Sequence, residues 1–147
     1  MVRSVFLSRY QHALDDKGRV ILPAKWRSAL EGGAFVTEYS SGCLAVFAPD
    51  EFQKVAAKVQ AVAQRGATER LMTLSFFSGA VDVVPDKQGR IAIPQHLRDF
   101  AKLDGDVVLA GQFDHIEIWN NEHFHTKRGV GTEMLHSDGG IEIFSGS

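Results

Sequence analysis

Two acid–arginine pairs carry the most specific chemistry in this chain: Asp15 with Arg19, and Asp86 with Arg90. They stand in the same frame. The first copy reads Asp15-Asp16-Lys17-Gly18-Arg19-Val20-Ile21-Leu22-Pro23, and the second reads Asp86-Lys87-Gln88-Gly89-Arg90-Ile91-Ala92-Ile93-Pro94, 71 positions on. An aspartate at the head of a turn accepts hydrogen bonds from backbone N–H groups that follow it. A guanidinium offers a planar fork of donors that fits a carboxylate, a phosphate or the O6/N7 edge of guanine. Two uses are therefore open. Each arginine closes a hairpin on its own aspartate, or it projects from the hairpin toward an anionic partner. Gly18 and Gly89 supply the positive φ that a tight turn needs, so Asp15, Gly18, Asp86 and Gly89 shape the loops whichever use holds.

Other reactive side chains form no catalytic set. Cys43 is the one cysteine, and it reads as a small packed side chain. His123 and His125 have no cysteine or acidic cluster near them that would complete a zinc site, and they read as surface histidines. The glycines of Gly18-Arg19 and Gly89-Arg90 stand singly and do not make a phosphate-cradling loop. Asp15 and Asp86 would make a carboxylate pair only if the two loops met, and turn geometry explains both more simply. The expectation is a non-enzyme with no metal, no cofactor and no small-molecule ligand.

The elements that must position these loops follow from the pattern around them. Phe6 to Leu14 reads as a strand leading into the first turn, and Val20-Ile21-Leu22 leaves it. Pro23 opens a short helix to Leu30, since a helix start tolerates a missing N–H. Ala34–Thr37 and Leu44–Phe47 are strands. Phe52, Val55, Ala56, Val59 and Ala63 recur at helical spacing, which predicts a helix from about Pro49 to Gln64. A second helix, about Thr68 to Phe77, is apolar on more than one side. It fits either between the two repeats or against a neighbouring subunit. The pattern then recurs: strand 80–84, turn, strand 91–93, helix 94–103, strands 107–110 and 116–119, and a brief helix around Phe124 capped by Asn120. Val36 aligns with Val108 at an offset of 72. Residues 129–147, with five glycines, read as a mobile tail.

A unit of about 40 residues is too small to bury a dependable core alone. The two repeats, residues 6–53 and 78–125, are therefore expected to pair as one domain over residues 1–128, joined by the helical segment 50–77. Net charge is −2, but its distribution is uneven. Residues 1–27 hold six Lys or Arg against two Asp, whereas residues 104–147 hold two against eight acids. Positive charge thus gathers around the loops, and a basic face rather than total charge marks a nucleic-acid partner. A single cysteine suits a reducing compartment. No stretch reaches the length of a membrane span, so a cytoplasmic protein without membrane association is expected.

The doubled Asp-x-x-Gly-Arg loop, each copy followed by Pro after three residues, resembles the MraZ family of bacterial transcriptional regulators. Phe6, the run Leu14-Asp15-x-Lys17-Gly18-Arg19, Gly111-Gln112-Phe113 and Glu117-Ile118-Trp119 carry the likeness across about residues 6–125. Ser8 stands where the family commonly has Gly. The resemblance implies an α+β fold of two tandem swapped-hairpin, AbrB/SpoVT-like β-barrel halves related by an internal pseudo-two-fold. It implies nucleoid-associated binding of double-stranded DNA at short G-rich direct repeats in the promoter of the division and cell-wall genes, by ring-like homo-oligomers. It also points to Arg19 first and Arg90 second as DNA-contacting residues. Lys17, Lys25, Arg27, Arg3 and Arg9 would then touch phosphates, contacts that position without specifying. The rival expectation is a structural or partner-binding oligomer, antitoxin-like, whose loops are only turns.

Overall fold

The computed structural model describes residues 5–145, so Arg3 lies outside the described residues. The first repeat runs β1 (Arg9–Ala13), β2 (Arg19–Ile21), α1 (Ala24–Arg27) with a 3-10 turn at Ser28–Leu30, β3 (Ala34–Glu38) and β4 (Leu44–Phe47). A helical hairpin follows, α2 (Pro49–Ala63) and α3 (Ala67–Gly79). The second repeat runs β5 (Val81–Val83), β6 (Arg90–Ala92), α4 (Gln95–Ala101), β7 (Asp106–Gly111) and β8 (Ile116–Asn120). Two helices end the chain, α5 (Asn121–Leu135) and α6 (Asp138–Phe144).

Six strands form one antiparallel sheet in the order β1-β7-β8-β4-β3-β5, and β2 and β6 form a separate antiparallel ribbon. Exchanging each strand for its counterpart in the other repeat leaves this order unchanged when it is read from the other end. The first strand of each repeat lies against the other repeat, β1 on β7 and β5 on β3. The fold is α+β, as expected, but the barrel halves are not: the strands make an open sheet and no closed barrel. Closure is unnecessary because the ribbon covers one face of the sheet. Val20, Leu22, Ile91 and Ile93, with Trp26, Leu30 and Leu97 behind them, pack on Val36, Val46, Leu109 and Ile118 in one core drawn from both repeats. The opposite face is covered too. Phe35 stacks on Phe52 of α2 at 4.3 Å, and Trp119 meets Phe124 of α5 edge-on.

Three local expectations need correction. Val36 faces Val46 and Val81, while in the second repeat it is Leu109 that faces their counterparts Ile118 and Tyr10. Val36 therefore corresponds to Leu109, not Val108. A one-residue slip sends a side chain to the other face of a sheet, and Val108 indeed packs on the far side with Trp119. The first strand is also interrupted. Phe6 bridges Phe113, but Ser8 has φ +77° and β1 starts only at Arg9. Finally, the stretch from residue 129 continues as helix. Asn120 accepts a hydrogen bond from the His123 N–H at 3.0 Å, Phe124 anchors the first turn, and the helix runs through Gly129 and Gly131. Capping and docking outweigh the roughly 1 kcal/mol that each glycine costs in a helix.

Candidate nucleic-acid interface

The two loops have the same atomic plan. Asp15 Oδ1 accepts from the backbone N–H of Lys17 (2.9 Å) and Arg19 (2.8 Å), and its Oδ2 accepts from Arg19 Nε (2.7 Å). In the second copy Asp86 Oδ1 accepts from Gln88 N (3.0 Å) and Arg90 N (2.9 Å), and Oδ2 accepts from Arg90 Nε (2.8 Å). The N–H groups of Gly18 and Gly89 close each turn on the aspartate carbonyl, with φ of +72° and +81°. Both carboxyl groups are held below their usual range. The backbone N–H of the arginine is the largest cause in each, and the guanidinium adds to it. A lowered pKa means that each loop's clamp is complete above the ordinary carboxylate pKa and is lost as pH falls through the lowered one.

The ribbon then sets where the arginines stand. Arg19 opposes Ala92, Val20 opposes Ile91, and Ile21 opposes Arg90. Opposed residues share a face and successive ones alternate. Val20 and Ile91 point into the core, so Arg19 and Arg90 stand together on the outward face with Ile21 and Ala92 between them. Each guanidinium is tied to its aspartate through Nε, and Arg90 Nη2 also donates to Gln88 Oε1 at 3.4 Å.

The loops are also braced across the pseudo-two-fold. Leu22 N donates to the Gly89 carbonyl (2.8 Å), and Ile93 N donates to the Gly18 carbonyl (3.0 Å). Arg27 Nε donates to Leu22 O (3.0 Å), and a Cβ on Gly89 would fall on its guanidinium. In the mirror arrangement Arg98 Nε donates to Ile93 O (2.9 Å) and lies over Gly18, where a Cβ would come within 2.7 Å of its Cζ. Each short helix thus places an arginine on the other repeat's turn. Four arginines, Arg19, Arg27, Arg90 and Arg98, surround the two turns.

Family comparison fits this doubled plan. A family model described as "MraZ protein, putative antitoxin-like" matches residues 5–74 and 76–128. The chain belongs to the MraZ family. It is 47% identical over 116 residues to a protein of Salinispora arenicola named "Transcriptional regulator MraZ", covering 79% of this chain and 82% of that one. Proteins of the same name from Heliobacterium modesticaldum (43% over 121 residues, 82% and 84% covered) and Micrococcus luteus (40% over 122 residues, 83% and 85% covered) are also similar to it.

Within this MraZ-family fold the expected site residues divide. Arg19, Arg90 and Arg27 come together at the ribbon. Lys17 is exposed at the first turn, and Lys25 is exposed on α1, with its ammonium 5.6 Å from the Tyr10 ring centre. Arg9 does not join them. It begins β1, at the end of that strand away from the turn, and lines a separate cavity beside α5. Two cations at the loops were missed by sequence reasoning. Arg98 was legible as the repeat partner of Arg27. Lys87 matches Asp16 in the repeat and so gave no signal. Asp15 and Asp86 each serve their own loop rather than each other.

Cys43 is fully buried, and burial first, with the nearby Glu117 carboxylate second, pushes its thiol up to about 12. A thiol so placed is not a nucleophile at neutral pH. Among the described residues no helix is long and apolar enough to cross a membrane, and no cluster of His, Cys, Asp or Glu is arranged to hold a metal.

Proposed function

We propose that this chain is a DNA-binding transcriptional regulator that inserts the β2–β6 ribbon into the major groove and reads guanine with Arg19 and Arg90. The observation that carries the reading is the pair of arginines on one outward ribbon face, each held by its own aspartate. A two-stranded ribbon fits the major groove, and a guanidinium whose Nε is anchored still has two Nη donors for O6 and N7. Holding the fork in place before binding removes part of the ordering cost. Lys17, Lys25, Arg27 and Arg98 flank that face and suit phosphates. The names of the relatives support a regulator of transcription. The resemblance supports the finer picture of short G-rich direct repeats ahead of division and cell-wall genes, read in the cytoplasm by a ring of subunits. A ring multiplies weak contacts along repeated sites through effective concentration.

The decisive experiment measures binding of Arg19→Ala to a G-rich direct-repeat duplex and to a scrambled one at two salt concentrations, with circular dichroism as the folding control. The expected loss is about 1–3 kcal/mol of discrimination per site. Lys25→Ala is expected to weaken both duplexes alike and to lower the salt slope by about one. Wild-type discrimination in folded Arg19→Ala would make the Asp15–Arg19 clamp a structural turn, and would favour the partner-binding reading.

A further inference from the structure

Across the sheet from the ribbon, β7, β8 and α5 border an open cavity of about 820 Å³, within the range of small-molecule sites. Its floor is polar but internally satisfied. Glu117, 6% exposed, accepts from His115 Nε2 and Trp119 Nε1, both at 2.9 Å, and the His115 Nδ1 side lies 2.8 Å from Asp114. Glu117 keeps its carboxylate charge on those donors, and three cations at the rim outnumber it. That rim is cationic. Arg9, Lys127 and Arg128 line it, and none forms an ion pair among the described residues. Lys127 and Arg128 are the only Lys or Arg in residues 104–147, a stretch with eight acids, and both stand at this cavity. Tyr39, Val130 and Met134 supply an apolar wall, with Val130 54% and Met134 67% exposed.

We propose that this cavity binds a small organic phosphate carrying an apolar or aromatic body. The phosphate takes the rim cations, the guanidinium forks of Arg9 and Arg128 and the Lys127 ammonium. The body lies along Tyr39, Val130 and Met134. The site is independent of the ribbon, so its failure and that of the DNA reading are separable.

The test uses the full chain and the two indole N–H resonances. Trp119 stands in the cavity and Trp26 in the core, which gives an internal control. Titration with millimolar phenyl phosphate is expected to shift the Trp119 signal saturably and leave Trp26 in place. Inorganic phosphate and benzoate are expected to bind more weakly. The Arg9→Gln/Arg128→Gln double variant is expected to weaken binding at least about tenfold, with the remaining spectrum unchanged, and Arg19→Ala to bind as wild type. No saturable shift, equal binding by the double variant, or benzoate binding as well as phenyl phosphate would overturn the proposal. Shifts that follow protein concentration instead of the added phosphate would also overturn it, because a second copy would then fill the groove.

Discussion

Asp15 uses two oxygens to hold two backbone amides and one guanidinium, and Gly18 makes the turn that lets it do so. Gly18→Ala tests that geometry. A Cβ there meets a left-handed backbone and the Arg98 guanidinium together, so the expected loss is about 1–3 kcal/mol in chemical denaturation. Arg98 would also be displaced from the turn. On the other face of the sheet, burial alone would lower the His115 pKa, but hydrogen bonds to Glu117 and Asp114 outweigh it and raise it. Burial would likewise raise Glu117, and its donors His115 and Trp119 bring it below 4.5 instead. The signs follow from linkage. The histidine's contribution is complete below 6.5 and is lost as pH rises through its raised value, while the glutamate's is complete above 4.5 and is lost as pH falls through its lowered value. The pair is therefore strongest between those limits. Glu117→Gln is expected to lower the His115 imidazole titration midpoint measured by NMR. A midpoint left unchanged would mean that Asp114 alone holds the proton.

At the scale of elements, the first strand carries a defect at Ser8. Its φ of +77° lies in the left-handed region that disfavours a side chain. Ser8→Gly relieves that strain, while the more flexible glycine gives some of the gain back through the unfolded chain. The expected net effect is a stabilisation of up to about 1 kcal/mol, read from the midpoint of urea unfolding. A destabilised variant would mean that the serine hydroxyl contributes more than its backbone costs. The neighbouring strands show why register matters as much as pattern. Val108 and Leu109 are equally apolar, yet one faces Trp119 and the other the shared core.

At the scale of the molecule, α3 leaves Leu71, Met72 and Leu74 more than half exposed and Phe77 partly so. Exposed apolar side chains at Leu71, Leu74 and Phe77, spaced three apart on one helix, are the candidate subunit contact for the proposed ring. Leu74→Glu is expected to reduce the particle mass seen by light scattering while the circular dichroism spectrum is retained. An unchanged mass would remove α3 from the subunit contact. The palindromic strand order has its own consequence. Each repeat's short helix braces the other's turn, so neither loop is shaped by its own repeat alone, and damage at Gly18 or Arg98 should register at both.

The sequence by itself determined what local chemistry and periodicity control. The doubled Asp-x-x-Gly-Arg turn, the strand that follows each turn, the short helix after each proline and the apolar stripe of α2 were all legible, because each depends on residues within a few positions of one another. Tertiary structure decided the rest. The open sheet in place of barrel halves, the pairing of β1 with β7 and the Leu109 register depend on which distant strands meet. Arg19 and Arg90 share a face because β2 pairs with β6, a contact 71 residues apart in sequence. Arg9, grouped with the loop cations by charge alone, went to the far cavity because β1 carries it away from the turn. The glycine-containing α5 formed because Asn120 caps it and Phe124 docks on Trp119. Local propensity does not contain that docking energy, since it arises only after the sheet beneath the helix has assembled.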